Sequence, residues 1–384
     1  MKVLYAAYRY DPLDPTMGSS LDFECHKAIS DAGFNVTIVG PVTDSVNYLE
    51  RLEMAGWRLY KKVTGKSGLK FPLLTAFRAS RMLDNAVKDH QPDLIFSIFQ
   101  SFFIFSKTRV PSIWYLDTTF IGQEESWPLY GKFPLALSVW EEKRALKRTS
   151  TIISVSEWLQ NNLVREYGVE KERVEILPLS AALPQEIIPA EINFEVDKKI
   201  GSPLRILFVG RVIKRKGLDL AVDIVSMLNN AGYAAELVIC GIKELPYGLP
   251  PFIKCVGPYN KNDSQQLMNY IDWYKWANLI LHPARFEAGG IVLSEAAAFG
   301  TPAVTNDVGG MATTVKDGVS GVVLPRNSPP QAYVDAIIEL VSDPPGYYQL
   351  CRTTRERFEQ ELNWKAAGAK LAGIINQVVD GKEQ

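Results

Sequence analysis

The sequence has few histidines and cysteines, no long hydrophobic run and almost no net charge, and each shortage removes a class of protein. Its three histidines offer little chemistry: His26 falls in the first helical pattern, His90 in a polar loop, and His282 at a strand end beside Pro283, where a structural role is expected. The four cysteines, at 25, 240, 255 and 351, contain no Cys-x-x-Cys pair. Neither a zinc site nor a disulfide framework is expected, and the thiols should be reduced in a cytoplasmic setting. A formal charge of −1, from 42 basic and 43 acidic side chains, argues against nucleic acid as a partner. The longest apolar stretch, "LIFSIFQSFFIF" from Leu94 to Phe105, falls short of the roughly 18 residues that suggest a membrane span. The opening "MKVLYAAYRYDP" is broken by Arg9 and reads as a first strand rather than a secretory leader. A soluble chain is expected, at most peripheral on the inner face of a cell membrane.

What is present is length and rhythm. A chain of 384 residues exceeds what one hydrophobic core usually serves, so two domains are expected. Short apolar runs alternate with longer helical patterns, which predicts strands near Lys2 to Ala7, Asn35 to Val39, Leu94 to Phe99, Ser112 to Leu116, Thr151 to Val155 and Val174 to Pro178. In "SEWLQNNLVREYG", Ser156 reads as an N-cap and Gly168 as a C-terminal stop. A proline-interrupted stretch, 181–203, reads as a linker, after which the rhythm restarts with strands near Arg205, Ala235, Ile253, Asn278, Pro302 and Gly321. The expected division is an N-terminal α/β domain over 1–180, that linker, a C-terminal α/β domain over 204–355, and a final helical segment over 356–384. Two such domains in tandem make the crevice between them the natural ligand site.

The densest chemistry lies in "FEAGGIVLSEAAAFGTPAV", Phe286 to Val304, where Glu287 and Glu295 bracket a glycine pair. The strand "NLILHP" precedes it and a helical run follows. Ala288, Gly289 and Gly290 therefore sit where free backbone N–H groups favour an anion such as a phosphate, and side-chain-free glycines let it come close. Carboxylates do not bind phosphate but suit vicinal hydroxyls of a sugar or ribose, at ~1.5 to 3 kcal/mol per charge-assisted hydrogen bond. A second segment, "LFVGRVIKRKGLDLAV", ends a buried strand at Gly210 and opens a helix at Lys216-Gly217, so that Arg211 and Lys216 suit a diphosphate, with Lys214 and Arg215 as exposed members of the turn.

"GRVIKRKG" followed about seventy residues later by Glu-x7-Glu resembles glycosyltransferase family 4, retaining enzymes of the GT-B fold, in which two Rossmann-like parallel-sheet domains face each other across a donor cleft. The resemblance is strongest from Arg205 to Pro325 and includes "VGGMATTVKDGVSGVVLP". It implies that Arg211 and Lys216 hold the donor diphosphate, and that Glu287 and the backbone of Ala288, Gly289, Gly290, Ile291 and Val292 hold the transferred sugar and distal phosphate. Glu295 would take the ribose hydroxyls, Tyr259 in "VGPYN" would lie in the base loop, and Gly18 in "DPTMGSS" would approach the phosphates. The final helix would cross back to the first domain. Many members carry a histidine after the fourth strand of that domain; here "PSIWYLDTTF" offers Asp117 instead.

The resemblance further implies a UDP-sugar donor, glucose being the first expectation, then N-acetylglucosamine or galactose. A saccharide or lipid-linked acceptor and a role in envelope or extracellular polysaccharide synthesis complete the expectation. No Asp-x-Asp pair occurs in the chain, so no metal and no cofactor are expected. A nucleotide-sugar epimerase, or a sugar-nucleotide binding protein without turnover, shares this architecture and stays open. From Arg51 to Met82 eight basic residues face one acidic, interleaved with Trp57, Tyr60, Phe71 and Phe77, a pattern suited to anionic lipid headgroups. Trp127, Tyr130 and Phe133 are read as a sugar-stacking rim or as packing residues.

Overall fold

The computed structural model describes residues 1–15, 20–245 and 248–381. It divides into two compact units: Met1–Leu177 joined by the chain from Ala367 on, and Pro178–Ala366. Each holds one six-stranded, wholly parallel sheet.

The first sheet contains β1 (Lys2–Ala6), β2 (Asn35–Val39), β3 (Leu94–Ser97), β4 (Ser112–Leu116), β5 (Thr151–Ser154) and β6 (Val174–Ile176), in the order β2-β1-β3-β4-β5-β6. All of β3 and β4 is buried, because helices cover both faces and the central strands read as unbroken apolar runs rather than alternating ones. The expected caps are in place. The Ser156 hydroxyl accepts from the Leu159 amide at 3.2 Å, and Gly168 ends that helix at φ 66°. Asn47 and Glu50 form a reciprocal capping box at the start of the helix Tyr48–Thr64.

The second sheet contains β7 (Leu204–Val209), β8 (Ala235–Cys240), β9 (Ile253–Val256), β10 (Leu279–His282), β11 (Ala303–Asn306) and β12 (Gly321–Leu324), in the order β12-β11-β10-β7-β8-β9. The chain builds outward from β7 through β8 to β9, then returns to the other side of β7 with β10. The order of connection therefore reverses between β7 and β10, where ligands of open α/β sheets collect.

The stretch 181–203 is not the free linker that its prolines suggest. Ala181, Leu183 and Ile188 belong to the core of the second unit, and Phe194–Asp197 forms a short helix. Lys198, fully buried, donates to the Tyr274 carbonyl at 2.8 Å, the Ala277 carbonyl at 3.1 Å and the Thr301 hydroxyl at 2.7 Å. One ammonium thus satisfies carbonyls at the end of the helix Ser264–Trp276 that have no partner within it. The division at the C-terminal end also differs: the helix Pro344–Glu361 packs within the second unit, and the chain rejoins the first only from Ala367, where Gly368 lies against Ala28.

The first unit buries two adjacent acids on the helix Lys132–Leu146. Neither carboxylate oxygen of Glu141 has a hydrogen-bond partner among the described residues; burial, then Glu53 and Glu142, push its carboxyl up to about 9. Burial pushes Glu142 up to about 8, against the hydrogen bond from Tyr167 and the one from the Phe120 amide. Folded-state values raised above the unfolded ones mean that the folded chain holds extra protons. The stability they confer is complete below the ordinary carboxylate range and is lost as pH rises toward 8 to 9. The thermal midpoint should therefore fall between about pH 5 and pH 9, and Glu141→Gln should flatten that fall, which calorimetry across the range would show.

Candidate functional site

The site begins at the carboxyl ends of β7 and β10. Their parallel pairing, Leu279 beside Ile206 and Ile280 beside Leu207, brings two loops together that are far apart in sequence. The Arg285 amide donates to the Arg215 carbonyl at 2.9 Å, and the Arg215 guanidinium donates to the Phe286 carbonyl at 3.2 Å. Gly217, between the short helix Ile213–Lys216 and the helix Leu218–Asn230, takes φ 72°; a Cβ there would run into the Pro283 carbonyl oxygen. Glycine is needed for both the turn and the close approach.

On this frame Lys216 forms an ion pair with Glu287, the Arg215 guanidinium lies 3.6 Å from the same carboxylate, and the His282 Nε2 lies 3.8 Å from it. Burial, and then the Arg215 charge, pull the Lys216 ammonium down to about 7. An anion alongside favours the charged form of such a group, and Glu287 is the carboxylate in contact with it. Arg215, expected to be an exposed member of the turn, is half-buried and part of this cluster; only Lys214 is exposed. His282 is fully buried with neither ring nitrogen hydrogen-bonded among the described residues, its ring 5.9 Å from that of Phe208; burial, then Lys216 and Arg215, hold its pKa well below the usual value.

The loop after Glu287 is pinned from behind. The Gly310 amide donates to the Glu287 carbonyl at 3.1 Å, the Thr314 hydroxyl donates to the Gly289 carbonyl, and Gly309, at φ 57°, has no room for a Cβ against the Glu287 carbonyl. Gly290 takes φ 63° before the helix Ile291–Ala297. The amides of Gly289, Gly290, Ile291 and Val292 meet no acceptor among the described residues. Arg211, just past the end of β7, is exposed and makes no hydrogen bond or ion pair among them.

Glu295 belongs to a neighbouring cluster. It is fully buried; its Oε2 accepts from the Tyr270 hydroxyl at 2.6 Å and the Tyr274 hydroxyl at 2.8 Å, and its Oε1 pairs with Lys261. The Tyr259 ring stands 6.1 Å from that of Tyr270, and the Trp273 indole N–H donates to the Tyr259 hydroxyl at 2.9 Å. Cys240, at the end of β8, feels Glu295, Lys261 and Arg211 together, so this cluster and Arg211 share one end of the sheet. The sequence reading missed Lys261, Tyr270 and Tyr274. The only available signal was a lysine in the loop after β9 and two tyrosines at i, i+4 spacing on the next helix.

In the first unit, Asp117 follows β4, is exposed, and lines a cavity of about 190 Å³ with Asp22, Gln100 and Glu142. Gly18 lies outside the described residues. Tyr130 is buried with its ring 5.4 Å from that of Phe120 and acts as a packing residue, whereas Phe133 is 67% exposed.

Two parallel-sheet units, the second gathering cations, carboxylates and unpaired amides at its topological switch, define a GT-B architecture. Residues 23–180 match the family model "Glycosyltransferase Family 4" and residues 190–361 match "Glycosyl transferases group 1". The chain belongs to the group 1 glycosyltransferases of GT-B fold. Among curated relatives it is 24% identical over 251 residues to an alpha-D-kanosaminyltransferase of Streptomyces kanamyceticus, a match covering 63% of this chain and 64% of the relative. The chain thus spans less than two thirds of the length of the curated relatives it first matches. Among solved structures, a sucrose-phosphate synthase from Thermosynechococcus elongatus superposes with TM-score 0.70 at 16% identity, covering 99% of each chain. Anabaena HepE, solved in complex with UDP-glucose, gives TM-score 0.62 at 16% identity over 98% of this chain and 100% of that one.

Glu295→Ala would strand two tyrosine hydroxyls and a lysine around a buried hole. Removing one member of such a buried pair should destabilise the second unit by ~3 to 5 kcal/mol, read as a lower urea midpoint without any ligand. Tyr270→Phe, which leaves the carboxylate two partners, should cost about 1 to 2 kcal/mol.

Proposed function

We propose that the protein transfers a hexose, glucose first among the candidates, from a UDP-sugar to a hydroxyl of a saccharide or lipid-linked saccharide, with retention at the anomeric carbon. The product belongs to envelope or extracellular polysaccharide. The observation that carries this reading is the convergence at one sheet end of Lys216, Glu287, unpaired Arg211 and the free amides of Gly289 to Val292. That set offers cations and N–H groups to a diphosphate and a carboxylate to sugar hydroxyls.

In this reaction the bond from the anomeric carbon to the diphosphate oxygen breaks and its electron pair stays on the diphosphate. The acceptor oxygen forms the new bond from the same face, and its proton passes to the departing diphosphate. Arg211, Lys216 and the amides of Ala288 to Val292 stabilise the growing charge, and loss of one such group should cost on the order of 100-fold in rate. Glu287, released from Lys216 as the diphosphate takes that cation, holds the transferred sugar. Glu295 reaches the ribose in place of Lys261, the partly exposed one of its three partners, and Tyr259 borders the base. Cationic side chains take the place of a metal, consistent with a chain that has no Asp-x-Asp pair.

At 100 times its dissociation constant, UDP should stabilise the protein by about 2.7 kcal/mol, seen as a rise in thermal midpoint that GDP and ADP do not match. Lys216→Met should abolish most of that rise, and EDTA should leave it unchanged. Proton NMR of the product should show the donor's anomeric configuration retained. A protein that UDP, GDP and ADP all leave unshifted would overturn the reading, and UDP binding without transfer to any hydroxyl acceptor would leave a sugar-nucleotide binding protein.

A further inference from the structure

The helix Tyr48–Thr64 carries an apolar face that is left exposed among the described residues of its unit. Leu49, Leu52, Leu59 and Val63 are 62%, 50%, 61% and 76% exposed. With Gly56 they recur at alternating steps of three and four, which places them on one stripe of the helix. Leu74 and Phe77, at the start of the next helix, border the same groove as Leu49 and are 44% and 48% exposed. Single exposed leucines are ordinary, whereas a continuous stripe is not.

The exposed charges of the helix itself have one sign, and one acid from the preceding segment, Asp44, borders Arg51 and Arg58. Arg51, Arg58 and Lys62 run along one flank, Lys61 and Lys66 stand at its C-terminal end, and Arg81 at its other margin; all are exposed. Both acids of this helix turn inward. Glu50 is fully buried against Arg78, with the guanidinium Nε 2.6 Å from Oε1, and Glu53 accepts from the Leu73 amide at 2.7 Å and the Leu74 amide at 2.9 Å. The outer face is therefore leucine and cation with no carboxylate. The aromatics expected to lead the patch are mostly elsewhere: Phe71 is buried, and Trp57 packs so closely on Gly68 that a Cβ there would lie 2.8 Å from the indole ring.

We propose that this face is a membrane-docking surface, on which the helix lies in the plane of an anionic leaflet with its aliphatic stripe among the acyl chains and its cations at the headgroups. Apolar side chains alone would suit a second protein, and cations alone an acidic one; the combination on one stripe, free of acids, matches the layered chemistry of a negatively charged bilayer surface. It rests on the transfer reading only for its use, delivery of a lipid-linked acceptor, and the surface contains none of the donor residues.

The test is flotation of the full chain with vesicles of phosphatidylcholine alone and of phosphatidylcholine mixed with phosphatidylglycerol. Binding is expected with the anionic vesicles only, weakened at high salt. It should fall at least tenfold both in Leu52→Asp/Leu59→Asp and in Arg51→Glu/Arg58→Glu/Lys62→Glu. Every substituted side chain is exposed, so both variants should fold, and both should keep the UDP-induced rise in thermal midpoint. That rise separates failure of this proposal from failure of the donor-site reading. No binding to anionic vesicles would overturn the proposal. So would binding that ignores the leucines, which would indicate an acidic partner, or light scattering showing a dimer that Leu52→Asp/Leu59→Asp dissolves without any vesicle binding.

Discussion

Two strands more than seventy residues apart in sequence, β7 and β10, lie side by side in parallel, and the candidate site exists because they do. Parallel pairing sends both chains out of the same edge of the sheet, so the loop after β7 and the loop after β10 must share space. The backbone exploits this: Arg285 and Phe286 donate to the Arg215 carbonyl, and Gly217 lets the two loops approach where any side chain would collide. Lys216 and Glu287 then face each other at a distance set by main-chain hydrogen bonds rather than by flexible side chains. Sites held in this way keep their geometry when a ligand displaces one partner of the ion pair.

The second unit shows how charges are accommodated in a largely apolar interior. Lys216 and Glu287 neutralise each other. Glu295 is deeper and is satisfied by two tyrosines and a lysine. Lys198, equally buried, is satisfied by carbonyls and a hydroxyl instead of a carboxylate. Pairing offsets the cost of burying a charge, and here the pairs differ in how readily they open. Lys261 lies partly in solvent and can leave Glu295, whereas Tyr270 and Tyr274 cannot.

Much of the fold was legible in the residues. All twelve strands fall within the expected segments to within one residue, because buried parallel strands are short unbroken apolar runs bounded by turn residues. Ser156 and Gly168 act as the caps their types suggest, since capping is local chemistry. The stretch 181–203 deceived for the converse reason. Its prolines cut regular structure into short pieces, but they do not exclude packing, and Ile188 and Lys198 are buried by contacts far along the chain.

The sequence by itself determined what depends on near neighbours: where strands and helices start and stop, which loops carry glycine and charge, and that Arg211, Lys216, Glu287 and Glu295 lie at or just beyond strand-to-helix turns. Tertiary structure alone decided which of these groups meet. It set Arg215 beside Glu287, gave Glu295 to Tyr270, Tyr274 and Lys261, and turned Glu50 and Glu53 inward so that the outer face of their helix is purely apolar and basic. The reason is physical. Periodicity and capping are read over a few residues, whereas partners across a sheet are chosen by strand order, and strand order is a property of the folded chain as a whole.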